Sequence, residues 1–125
     1  ARVTDEGLKR IATLSLLESL VIPECPQVTD IGVRCVASGA SQLTELTVTG
    51  NARLTDGVLR SISSFCPRLS SLCAGQCPLL TDGGVVLLSQ CSKSLRLLHL
   101  AGCSKVTSDG VAQVRQNLPE CEVVF

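Results

Sequence analysis

The dipeptide Thr-Asp returns along the chain at Thr4-Asp5, Thr29-Asp30, Thr55-Asp56 and Thr81-Asp82, with Thr107-Ser108 next in the series. The steps are 25, 26, 26 and 26 residues. A second series runs in phase with the first: LESLVIPEC from Leu17, LTELTVTGN from Leu43, LSSLCAGQC from Leu69 and LRLLHLAGC from Leu95. An aliphatic residue, Val28, Leu54, Leu80 or Val106, precedes each Thr of the four later repeats. Two markers holding one period mean that one supersecondary unit is repeated along the chain.

Within each repeat the apolar spacing changes. Leu20 with Ile22, or Leu98 with Leu100, alternates and predicts a short strand. After Thr-Asp the spacing becomes three: Leu8 with Ile11, Val33 with Val36, Leu59 with Ile62, Val85 with Leu88 and Val111 with Val114. That spacing puts both residues on one side of a helix. Thr or Asp at its start suits an N-cap, with the carboxylate complementing the helix dipole. Neither element buries its apolar side alone, so successive units must stack into a shared core. Strands that run the same way and are joined through helices form a parallel sheet with right-handed crossovers. Strands also pack more closely than helices, so the predicted solenoid curves with its sheet inside. The fold class expected is α/β: a right-handed leucine-rich-repeat solenoid, a horseshoe arc with strands on the concave face and helices on the convex face. Residues 1–125 are read as a single such domain of four to five repeats of about 26 residues.

Eight cysteines in 125 residues raise the question of disulfides, metal or redox chemistry. The repeat phase answers it. Cys25, Cys77 and Cys103 each lie five residues after a strand leucine, and Asn51 holds that place in the remaining repeat. Residues sharing one place once per repeat form a structural turn ladder, where an inward amide or thiol donates to a backbone carbonyl. Cys73 belongs instead to an outward strand position with Val21, Thr47 and His99, so it faces away from Cys77. There is no CxxC and only one histidine, which argues against zinc and a thiol redox pair. Cys66 and Cys91 fall near helix ends, where small buried residues fit, and Cys35 is placed on a helix surface. No catalytic, cofactor or metal residue is assigned, no cofactor is expected and an enzyme is not supported. His99 as a general base lacks a partner in the repeat register.

Eleven basic residues balance eleven acidic ones, so neither nucleic acid nor a membrane surface is the expected partner. No apolar run is long enough for a signal peptide core or a bilayer span. Free thiols in an aliphatic core predict an intracellular location, cytoplasmic or nuclear.

The pattern Leu-x-x-Leu-x-Leu-x-x-Cys, then Val or Leu before Thr-Asp-x-Gly, with Cys-Pro in FCPRL, resembles the cysteine-containing leucine-rich repeats. These are found in F-box/leucine-rich-repeat proteins and in antagonist-of-mitotic-exit-network-like proteins. The ending DGVAQVRQNLPECEVVF is similar to the last repeat of such proteins. Departures are Asn51 at the turn cysteine, Val58 at the glycine, Ser108 at the Asp and Ala40 at the Cys of Cys-Pro. The resemblance implies a protein–protein interaction module that recognises substrates for an F-box type ubiquitin ligase. No F-box segment is found in the chain ahead of the repeats, so the alternative is a leucine-rich-repeat scaffold for assembly or signalling with no ubiquitin link. No capping segment is recognised at either end. The chain is therefore read as a segment of a longer protein, or as one whose open end is covered by an adaptor or neighbouring domain.

Binding on such an arc is assigned to the outward strand residues. Three columns follow from the period: Glu18, Thr44, Ser70, Arg96 and Glu122; Ser19, Glu45, Ser71, Leu97 and Val123; Val21, Thr47, Cys73, His99 and Phe125. The candidate partner-binding cluster on the concave face is Arg96, Leu97 and His99, with Cys73, Glu45 and Thr47 beside it. On the helices, Val86 and Leu87 stand where other repeats carry charge. The expectation is a slightly rotated helix that buries one of them, the alternative a second contact surface.

Overall fold

The computed structural model describes residues 3–125, and Ala1 and Arg2, which open the first repeat, lie outside the described residues. Among these residues five helices alternate with five strands: α1 (Asp5–Ile11), β1 (Ser19–Val21), α2 (Asp30–Gly39), β2 (Glu45–Thr47), α3 (Asp56–Phe65), β3 (Ser71–Cys73), α4 (Asp82–Cys91), β4 (Leu97–His99), α5 (Ser108–Asn117) and β5 (Glu122–Val124). The strands form one parallel sheet in sequence order, each three residues long. Leu20, Leu46, Leu72 and Leu98 lie side by side across the sheet and face the helices. Val33, Leu59, Val85 and Val111 close on them from the helix layer, all fully buried. Each such aliphatic side chain contributes roughly 1.5–3 kcal/mol by leaving water. Repetition of this layer compensates for strands too short to hold alone.

Thr4, Thr29, Thr55, Thr81 and Thr107 are the N-caps, each in extended backbone. The Asp that follows does something the sequence did not reveal. Asp5 accepts from the backbone N–H of Thr29 at 2.9 Å and from its hydroxyl at 2.5 Å. Asp30 accepts in the same two ways from Thr55, Asp56 from Thr81 and Asp82 from Thr107. The recurrent Thr-Asp is therefore a clamp between neighbouring coils, and a side-chain cap bond is made by Thr4, Thr29 and Thr55 but not by Thr81 or Thr107.

The carboxylate needs room on the next helix. A Cβ on Gly32, Gly84 or Gly110 would come within 2.4, 2.3 and 2.2 Å of the Asp from the coil before. In α3 that place is taken by buried Val58. There the Asp30 carboxylate sits over Gly57 instead, 2.7 Å from where its Cβ would be. The first turn of α3 tightens as well: Val58 N–H donates to Thr55 O, whereas Leu8, Val33, Val85 and Val111 each donate four residues back.

Four residues before Thr55, in the same strand-to-helix connection, Asn51 is fully buried and makes three bonds. Its Oδ1 accepts from Cys25 N–H at 2.6 Å, and its Nδ2 donates to Ile22 O and Val48 O, both at 2.8 Å. Cys77 donates to Val48 O at 3.4 Å and Cys103 to Ala74 O at 3.1 Å, each reaching the coil before it. Cys25 bonds within its own turn, to Pro23 O at 3.3 Å. The residue preceding each of these four has positive φ: Glu24 at 51°, Gly50 at 78°, Gln76 at 56° and Gly102 at 81°. Two glycines adopt that conformation freely, while Glu24 and Gln76 carry a cost of about 1 kcal/mol each.

Three expectations are corrected. Cys91 is exposed at the end of α4, whereas Cys66 is buried with its Sγ near Ala37 O. Neither Val86 nor Leu87 is buried; both are half-exposed, so α4 is not rotated to cover one of them. The last coil is one residue shorter at the strand: Glu122 pairs with Leu97, Val123 with Leu98 and Val124 with His99. Val123 is consequently buried, and Glu122 and Val124, not Val123 and Phe125, continue the outward columns.

Candidate protein interface on the sheet face

Two outward columns run across the sheet. The first is Ser19, Glu45, Ser71, Leu97 and Glu122; the second is Val21, Thr47, Cys73, His99 and Val124. Parallel pairing holds these side chains at strand spacing, so their relative positions are set before any partner arrives. Glu45 is exposed and accepts from the Ser19 hydroxyl at 2.8 Å. Thr47 and Cys73 are half-buried neighbours, and His99 stands directly beside Cys73.

His99 is the least ordinary member. Its Nδ1 is buried and has no hydrogen-bond partner among the described residues. The ring leans towards Gly75, where a Cβ would approach Nδ1 to 3.0 Å and Ala101 O to 2.9 Å. A glycine at that strand exit is therefore what lets the imidazole settle onto the sheet.

Arg96 is set apart from this group. It precedes β4 and its Nη1 donates to Lys93 O at 3.1 Å and Leu95 O at 3.2 Å, on the loop entering the strand. Burial pushes the Cys121 thiol up in pKa, and the Arg96 guanidinium nearby opposes that shift. Leu97 and His99 thus share the sheet face, with Arg96 turned to its rim. Period-two alternation finds the two columns in the sequence, but nothing local signals that the Arg96 side chain folds back on its own loop.

The inner thiols are chemically quiet. Burial raises Cys66 to a pKa of about 11 and pushes Cys77 and Cys103 up, although backbone N–H groups oppose the shift at the latter two. A nucleophilic or metal-binding thiol needs the opposite direction. Among the described residues no group of three or more His, Cys, Asp or Glu side chains converges on one point. No helix among them is long and apolar enough to cross a membrane.

No family model matches the chain, and no curated protein matches it in sequence. Solved structures do. The chain is similar to Rad7 from the crystal structure of the Rad7 and Elc1 complex in yeast, with a TM-score of 0.83 at 21% identity, covering 92% of this chain and 29% of that one. It is similar to the tropomodulin C-terminal domain of Caenorhabditis elegans, with a TM-score of 0.75 at 12% identity over 98% of this chain and 83% of that one. A leucine-rich-repeat protein of Leptospira interrogans gives 0.62 at 19% identity, over 94% and 27%. The chain thus spans less than a third of the Rad7 chain it matches. The fold is the α/β leucine-rich-repeat solenoid.

Proposed function

We propose that this chain is a protein–protein interaction module, one continuous repeat domain over residues 1–125, that docks its partner on the concave sheet face. The single observation carrying this reading is the pair of outward columns, whose spacing is fixed by strand pairing before any partner binds. Leu97 and His99 are the apolar and aromatic anchors, Cys73 and Thr47 complete the floor, Glu45 supplies charge, and Arg96 contributes from the rim. Anchors of this kind dominate interface energetics when flanked by polar contacts that exclude water. The turn ladder of Cys25, Asn51, Cys77 and Cys103 takes no part in docking and holds the coils in phase. The proposed location is intracellular, where its thiols stay reduced.

The finer reading is substrate recognition for an F-box type ubiquitin ligase. The repeat pattern favours it, and so does the likeness to Rad7, which was crystallised in complex with Elc1. An adaptor would engage a part of the protein other than the sheet face. Affinity capture from cells with the full-length protein tests both levels. The module reading expects a partner that is lost when Arg96, Leu97 and His99 are replaced by alanine, and its retention would overturn the sheet face as the docking site. Recovery of a ligase subunit alongside is expected for the ubiquitin role. A partner captured through the sheet face without any such subunit would point to a repeat scaffold instead.

A further inference from the structure

The helix side of the solenoid carries a groove of about 420 Å³ between α2 and α3. Four of its lining residues stand out. Ile31 is 60% exposed and Phe65 39% exposed, two of the large apolar side chains that the fold leaves in water. Arg34 and Arg60 occupy the same position of α2 and α3, one repeat apart, and both are exposed. Neither makes a side-chain hydrogen bond or ion pair among the described residues, whose ion pair joins Lys9 to Glu6. Packed helices lie about 8–10 Å apart, so the two guanidinium groups stand on opposite walls.

Gly57, at the start of α3, lies on the floor between them, with the Asp30 carboxylate over it. Asp30 also lines the groove, but its carboxylate is held by the backbone and hydroxyl of Thr55. Two cations against one committed anion leave the groove positive. The matching groove between α4 and α5, about 520 Å³, is lined by Val86, Leu87, Asp82 and glutamines and has no cation. The basic apolar cleft at α2–α3 is therefore not shared by the α4–α5 junction.

We propose that the α2–α3 groove is a second docking site, for an acidic peptide segment of a partner protein that carries a large apolar side chain. Arg34 and Arg60 would fork onto its carboxylates, a geometry to which guanidinium is suited. Its apolar side chain would cover Ile31 and Phe65. Exposed apolar surface beside unpaired arginine is the composition of binding hot spots. This site is on the opposite side of the molecule from the sheet columns, so it stands or falls independently of the function proposed above.

The test uses the full chain and a short fluorescein-labelled synthetic peptide alternating Glu with Leu, read by fluorescence anisotropy. Saturable binding is expected, weakening as salt rises because the partners meet at an exposed surface. The double variant R34E/R60E should raise Kd at least about tenfold, as should I31S/F65S, while R53E, a charge change outside the groove, should leave it within about twofold. All of these positions are exposed, and an unchanged Tm would show the variants to be folded. The proposal is overturned if the wild-type chain does not bind the peptide, or if R34E/R60E and R53E behave alike. It is equally overturned if a short RNA competes as well as the unlabelled peptide, because the site would then be a generic anion surface.

Discussion

The junctions on either side of α3 follow one plan with different residues. Between α3 and α4 the turn is braced by Cys77 and the clamp is Asp56 on Thr81, with Gly84 making room for the carboxylate. Between α2 and α3 the turn is braced by Asn51, and Val58 occupies the glycine's place, so the carboxylate of Asp30 moves over Gly57. The turn and the helix start depart together at the same junction, and the bonds across it survive. A rung is thus defined by what it joins: a buried donor reaching the preceding coil's carbonyl at the strand exit, and a carboxylate meeting Thr at the helix start. Residue identity is free so long as those two demands are met.

The largest effect should come from breaking the amide rung. Asn51→Ala leaves the buried Cys25 N–H and the Ile22 carbonyl without the partner the amide supplies, and should cost about 3–5 kcal/mol in urea unfolding. Asn51→Cys, which makes this junction resemble its neighbour, should cost about 1–2 kcal/mol, since a thiol donates to one carbonyl but serves the Cys25 N–H poorly. Cys77→Ala, which loses a weak bond and a little packing, should cost about the same. Equal losses for Asn51→Ala and Cys77→Ala would show that the amide is only filling space.

The clamp comes next. Gly84→Ala drives a methyl into the Asp56 carboxylate and should cost about 2 kcal/mol despite alanine's better helix propensity. Gly83→Ala, one residue earlier, meets nothing closer than Thr81 Oγ1 at 3.7 Å and should be neutral or stabilising by about 0.5 kcal/mol. At the other junction the roles reverse: Gly57→Ala should be the costly one, by about 1 kcal/mol, because Asp30 rests on it. Thermal unfolding of the three variants decides the matter. If Gly57→Ala behaved like Gly83→Ala, the displaced carboxylate at the α2–α3 junction would be disproved.

The smallest effect is the pH dependence of Cys66, buried at the C-terminus of α3. Burial raises its pKa to about 11 from an ordinary thiol value near 9. Its folded state therefore holds the proton more tightly than the unfolded chain. The contribution is whole below pH 9 and is lost as pH rises from 9 through 11, at about 1.4 kcal/mol per unit. At pH 10 the loss should be about 1 kcal/mol. Comparing unfolding at pH 7 and pH 10 for the wild type and Cys66→Ala isolates it, because Cys77 and Cys103 shift the same way in both proteins. An identical alkaline loss in Cys66→Ala would remove Cys66 as the source.

Much of this architecture was legible because burial repeats with the chain. Leu20, Leu46, Leu72 and Leu98 fix the strands, and the following Thr fixes each helix start. The sequence places an Asp at the helix start, where it is expected to complement the helix dipole, but its acceptor role involves a Thr about 25 residues away. The columns at the last strand were displaced by one, because a period measured at Thr107 cannot detect a residue missing near Cys121. Cys91 could not be told from Cys66 by its place at a helix end, and neither Val86 nor Leu87 turned inward. Of the candidate sheet-face cluster, the outward direction of Glu45, Thr47, Cys73, Leu97 and His99 follows from alternation. The rim position of Arg96 does not, since it depends on which carbonyls its guanidinium reaches.

The amino-acid sequence by itself set the unit, the period, the strand–helix order and the inward leucines, because those rest on spacings within a single repeat. Tertiary structure alone decided what each polar residue holds, which glycine yields to a carboxylate, and where two arginines and two exposed apolar side chains meet in one groove. The physical reason is distance: these outcomes turn on a few ångströms between residues a full coil apart, and stacking is what brings them together.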